Sequence, residues 1–125
     1  MANPVFDWSE YLKLANQLSA NSDQASQRSS ISRAYYCIYH KASERAVANG
    51  YRVQRHAELW AFYDRNTDKT CRKLGEMGSR MKKERVDADY KAVVDRLADR
   101  MSDQLNRANR FLEELTALEP DLPRP

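Results

Sequence analysis

The sequence predicts an all-α protein, an up-and-down bundle of four to five helices, and three observations carry that prediction. The first is the scarcity of turn residues: 125 residues hold three glycines and four prolines, and Pro4, Pro123 and Pro125 lie close to an end. A sheet of this size would need many more turn residues than that. The second is that apolar residues recur at steps of three and four, the period of a helix face. The third is the mixture of charge, 31% of residues with both signs interspersed, which suits the solvated faces of amphipathic helices. Hydrophobic residues make up 42%, enough for one core. Residues 1–119 therefore read as a single helical domain, followed by a disordered tail over 120–125.

Each element has its own signal. Asp7-Trp8-Ser9-Glu10 has capping-box spacing, so a first helix is predicted from Asp7, with Trp8, Tyr11, Leu12, Ala15 and Leu18 as its apolar face. Asn21-Ser22-Asp23 offers side-chain oxygens to end that helix and cap the next. The second helix is predicted from Gln24 to Ala48, its core positions Ile31, Ala34, Tyr35, Ile38, Ala42 and Ala46, closed by the left-handed pair Asn49-Gly50. Tyr51 to Gln54 forms a connection, and a third helix runs from His56 to Asp64. A fourth spans Lys69 to Lys82, weakened by Gly75 and Gly78. The charged run Arg85-Val-Asp-Ala-Asp-Tyr90 then reads as a connection. Val94, Leu97, Met101, Leu105, Ala108, Leu112 and Leu115 mark a last helix that Pro120 ends.

Composition narrows the function classes. The net charge of +3 permits contact with nucleic-acid phosphates but is far from the basicity of a large duplex-binding surface. Cys37 and Cys71 are too few for a disulfide framework or a zinc site and read as buried, reduced thiols of a cytoplasmic protein. No apolar run approaches the roughly 20 residues of a membrane span, and no secretion signal is expected. No glycine-rich phosphate loop, GxSxG or metal-ligand cluster occurs, so neither metal nor cofactor is expected.

One pattern carries chemistry. Arg33 and His40 stand seven positions apart on the second helix with Tyr36 between them, and seven steps of a helix return to within about 20° of the start. The three share one face. Metal-free RNA cleavage needs a base for the ribose 2′-OH, a cation for the phosphorane and an acid for the leaving 5′ oxygen. One Arg33–His40 pair supplies two of these, and a symmetric dimer supplies all three. The other reading of the pair is a surface arginine and a histidine satisfied by a neighbouring carbonyl. Tyr35, Tyr36 and Tyr39 read as core or interface residues or as base-stacking rings. Arg28, Lys41 and Arg45, and Arg80, Lys82, Lys83 and Arg85, read as solvated faces or as phosphate contacts. Tyr36, Arg28 and Arg85 are the candidate substrate contacts.

The segment Ser32-Arg-Ala-Tyr-Tyr-Cys-Ile-Tyr-His-Lys-Ala42 resembles the second helix of small stand-alone bacterial HEPN-domain proteins. His56 at the start of the next helix, Arg85-Val-Asp-Ala-Asp-Tyr90 and Asn106-Arg-Ala-Asn-Arg-Phe-Leu112 are similar to further pieces of that family, in its order. The resemblance covers about residues 25 to 118. It implies a four- or five-helix bundle that usually dimerises; a homodimer is expected here, its interface including part of the second or the last helix. Many members are metal-independent endoribonucleases of toxin–antitoxin or phage-defence systems that use an Arg-x(4–6)-His motif. Arg33 and His40 match its upper spacing, although Ala34 stands where a polar residue is usual and the motif usually sits on a late helix. Other members are non-catalytic, binding RNA or nucleotides beside a nucleotidyltransferase. On this reading His40 is the acid/base and Arg33 the phosphate clamp, while His56 affects stability and leaves the chemistry intact.

Overall fold

The computed structural model describes residues 3–52 and 55–125. The chain forms five helices: α1 (Ser9–Leu18), α2 (Gln24–Ala48), α3 (His56–Asp64), α4 (Lys69–Tyr90) and α5 (Leu97–Ala117). Positions 53 and 54 of the expected connection after α2 lie outside the described residues.

Helix α2 is the axis of the bundle and packs against α1, α4 and α5. Its start is capped as the sequence suggests, the Asp23 carboxylate accepting from the Ser26 amide, and Gly50 follows it at φ +96°, a conformation open to glycine. Side-chain contacts fix the directions. Trp8 meets His40 and Ser30 donates to the Ala15 carbonyl, so α1 is antiparallel to α2. Arg28 reaches Ala88 and Arg85 covers Tyr36, so α4 is antiparallel to α2 as well. Gln104 reaches Ile31 and Arg45 reaches Leu115, so α5 runs parallel to α2. These four helices alternate. The short α3 does not, because Tyr35 meets His56 while Ala42 meets Tyr63, which sets α3 parallel to α2.

The core gathers where α2, α3, α4 and α5 meet, around the fully buried Ile31, Tyr35, Trp60, Tyr63, Leu74 and Phe111. Gln104 is buried among them, its amide donating to the Ile31 and Met81 carbonyls. Gly78 is a packing requirement, since a side chain there would overlap the Trp60 indole of α3. What reads in sequence as weakness in the fourth helix is room for the third.

Two expectations are corrected. The run Arg85–Tyr90 is the last turns of α4, not a connection. Its charges pair along and across the helix: Asp87 is buried and accepts from Arg100 of α5 at 2.7 Å, with Lys91 at 3.3 Å, and Ala88 enters the core. The tail 120–125 is docked, not loose. Arg45 donates to the carbonyls of Leu115, Leu118, Glu119 and Leu122 at 2.7–3.1 Å, Pro123 is buried, and Asn66 donates to the Arg124 carbonyl at 3.0 Å. The carbonyls that end a helix have no intrahelical partner and carry the negative end of its dipole, so a guanidinium beside them holds the exit in place. No helix among the described residues is long and apolar enough to cross a membrane.

Candidate functional site

The face of α2 that carries Arg33, Tyr36 and His40 lies against α1. Two contacts tie the start of α1 there: the Asp7 carboxylate accepts from the Ser9 amide at 2.9 Å and pairs with Lys41 at 3.2 Å. With α1 so placed, the His40 imidazole lies flat on the Trp8 indole, centroids 3.5 Å apart and planes within 10°. Burial lowers the His40 pKa below its usual value, which favours the neutral ring. One turn along α1, the Arg33 guanidinium sits 4.8 Å from the centre of the Tyr11 ring, and Tyr11 meets Trp8 edge to face at 5.4 Å. The guanidinium and the imidazole are thus linked through two aromatic rings.

Hydrogen bonding separates the basic residues of α2 into two groups. Arg28 donates to the carbonyls of Ala88, Lys91 and Ala92, closing the end of α4 as Arg45 closes that of α5. Lys41 holds Asp7. Among the described residues Arg33 makes no hydrogen bond or ion pair, and neither ring nitrogen of His40 has a protein partner. Arg28, expected as a substrate contact, is a structural clamp. Arg33 and His40 keep their polar atoms available.

On the other side of Tyr36 and Tyr39 lies a second group that the sequence reading did not assemble. His56 stacks on Tyr39 at 3.7 Å with planes 5° apart, and its Nδ1 lies 2.8 Å from the Tyr35 hydroxyl. That hydroxyl already accepts from the Trp60 indole N–H at 3.0 Å. The Tyr35 O–H has no acceptor other than Nδ1 among the described residues, since an indole nitrogen only donates, so we assign the Tyr35 proton to Nδ1 and the His56 proton to Nε2. Burial, then the charges of Arg85, Lys82 and His40, hold the His56 pKa down to about 4, and burial raises that of Tyr35. The Arg85 guanidinium covers Tyr36 at 5.1 Å and Tyr35 at 5.8 Å, and its ion-pair partner Asp89 stands 3.8 Å away, accepting from Ser32. The two expected substrate contacts Tyr36 and Arg85 therefore touch each other, and His56 joins them. Its signal in the sequence was slight, a lone histidine opening a short helix, because the partners that define it lie on two other helices.

Neither cysteine adds a nucleophile. Cys37 and Cys71 are free and buried, and burial pushes their thiols up to about 11 and about 12. Among the described residues no group of three or more His, Cys, Asp or Glu is placed to hold a metal ion.

No family model and no solved structure matches the chain. It is similar to a protein of Thermotoga maritima that bears the name UPF0332 protein, at 28% identity over 99 residues, which span 77% of this chain and 75% of that relative.

Proposed function

We propose that the chain is a metal-independent endoribonuclease of the HEPN type, acting as a homodimer in the cytoplasm, in a toxin–antitoxin or phage-defence system. The observation that carries the reading is the availability of two groups. Of the basic residues on α2, Arg28, Lys41 and Arg45 are hydrogen-bonded or ion-paired within the fold, while among the described residues Arg33 touches only the Tyr11 ring, and it shares a face with an imidazole whose nitrogens are also free of protein partners there.

The chemistry follows from those two side chains. His40 takes the proton of a ribose 2′-OH as that oxygen attacks the adjacent phosphorus. Arg33 presents its fork to the non-bridging oxygens as charge builds on the phosphorane. The P–O5′ bond breaks, and the leaving oxygen takes a proton from His40 of the second subunit. The products end in a 2′,3′-cyclic phosphate and a 5′-hydroxyl. Incubation of the purified protein with RNA in a chelator, followed by end-group analysis, tests this.

A second reading is favoured by the two rings that separate Arg33 from His40 within one protomer. In it the chain is a non-catalytic HEPN module whose aromatic and cationic face binds RNA, a nucleotide or a partner protein such as an antitoxin or a nucleotidyltransferase. Saturable RNA or nucleotide binding without cleavage is its signature.

A further inference from the structure

We propose that Arg85 and Lys82 of α4, beside His56 of α3, form a second phosphate-binding site. The Arg85 side chain is only 12% exposed, yet the one carboxylate that pairs with it among the described residues, Asp89, stands 3.8 Å away and is shared with Ser32. The Arg85 Nε is buried with no hydrogen-bond partner among the described residues. A desolvated cation without a close acceptor is costly in an apolar surrounding, and an incoming oxyanion removes that cost.

The neighbours point the same way. Lys82 lies three residues before Arg85, on the same side of α4. Their joint positive field reaches His56, which burial and these two cations keep neutral with its pKa at about 4. With Nδ1 occupied by Tyr35, the imidazole offers an N–H at Nε2 as a third donor. An open groove of about 390 Å³ between α3 and α4, lined in part by Ala57, Trp60, Lys82 and Lys83, leaves room beside Lys82 for what the phosphate is attached to. A guanidinium fork, an ammonium and an imidazole N–H from two helices suit a tetrahedral phosphate oxyanion. The group can come from a free nucleotide or from an RNA backbone.

The site adjoins the Arg33–His40 face through Tyr36 but uses neither of those residues, so its test reads binding and avoids cleavage. Calorimetric titration of the protein with inorganic phosphate, adenosine 5′-monophosphate and a short 2′-O-methyl RNA, which has no 2′-OH to attack, is compared across variants. Saturable binding below about 10 mM is expected, weakened about tenfold or more by Lys82→Ala and by Arg85→Gln and retained in Lys73→Ala, which alters a lysine paired with Glu114 at the other end of α4. Lys82→Ala keeps the test decisive if Arg85→Gln does not fold. Asp89→Asn removes the competing carboxylate and strengthens binding. Loss of the nucleotide by Lys82→Ala with no response to RNA assigns the site to free nucleotides, and the converse assigns it to the RNA backbone. Absence of saturable binding by all three ligands, or binding that Lys82→Ala and Arg85→Gln both leave unchanged, overturns the proposal.

Discussion

The imidazole of His40 lies face to face on the indole of Trp8, 3.5 Å between centroids and 10° from parallel. The N-cap residue of the short first helix thereby fixes the orientation and the desolvation of a histidine two-thirds of the way along α2. Trp8→Ala exposes the ring, so the His40 pKa should rise toward the ordinary 6.5. Cleavage should fall roughly 10–100-fold through lost positioning, and Trp8→Phe should restore part of it. NMR titration of His40 alongside the pH–rate profile checks both effects. A purely structural role for Trp8 would lower the rate without moving the profile.

Acid should destabilise the fold in two windows. His56 is held down to about 4 in the folded chain against 6.5 when unfolded, so the unfolded chain takes up a proton first as pH falls. Stability present above 6.5 is therefore lost between 6.5 and about 4, and His40, also lowered, acts in the same direction. Asp87, lowered below its ordinary 3.8 first of all by its hydrogen bond to Arg100, contributes stability that is lost only below that value. Thermal unfolding against pH should show both steps. His56→Phe, which retains a ring to stack on Tyr39, should flatten the first and leave the second.

Gly78→Ala should destabilise although alanine is the better helix former. The methyl group would overlap the Trp60 ring, and overpacking of about 1–3 kcal/mol exceeds the gain of about 1 kcal/mol in helix propensity. A lower Tm, by about 5 °C per kcal/mol, is the expected reading.

The arginines of α2 should separate stability from function. Arg45→Ala leaves four carbonyls at the end of α5 and in the tail without their donor, which should cost about 2 kcal/mol in urea unfolding and expose 120–125 to proteolysis. Arg33→Ala loses only a contact with the Tyr11 ring, worth about 0.5–1 kcal/mol, and should leave the fold intact.

The helices were legible where periodicity and caps agree: α2 begins after its Asp23 cap and closes at Asn49-Gly50, as those residues predict. The end of α4 was not, because Asp87 and Asp89 look like solvent charges until Arg100 and Ser32 are seen facing them from other helices. The docked tail was hidden for the same reason, its anchor Arg45 lying over seventy residues earlier. In the candidate site, the shared face of Arg33, Tyr36 and His40 followed from helical geometry. The trapping of one ring by Trp8 and the gathering of His56 with Arg85 did not, since both depend on how separate helices dock.

The most direct test of the account is cleavage of RNA in a chelator by wild type, His40→Ala and Arg33→Ala, each verified as folded by circular dichroism. The wild type should yield 2′,3′-cyclic phosphate and 5′-hydroxyl ends. Its pH–rate profile should be bell-shaped and centred below 6.5, because one imidazole must be neutral and the other charged. Each single substitution should lower the rate roughly 10²–10⁴-fold, and the double variant little further. Undiminished cleavage by folded His40→Ala protein, or no cleavage of any RNA by the wild-type protein, would contradict the account.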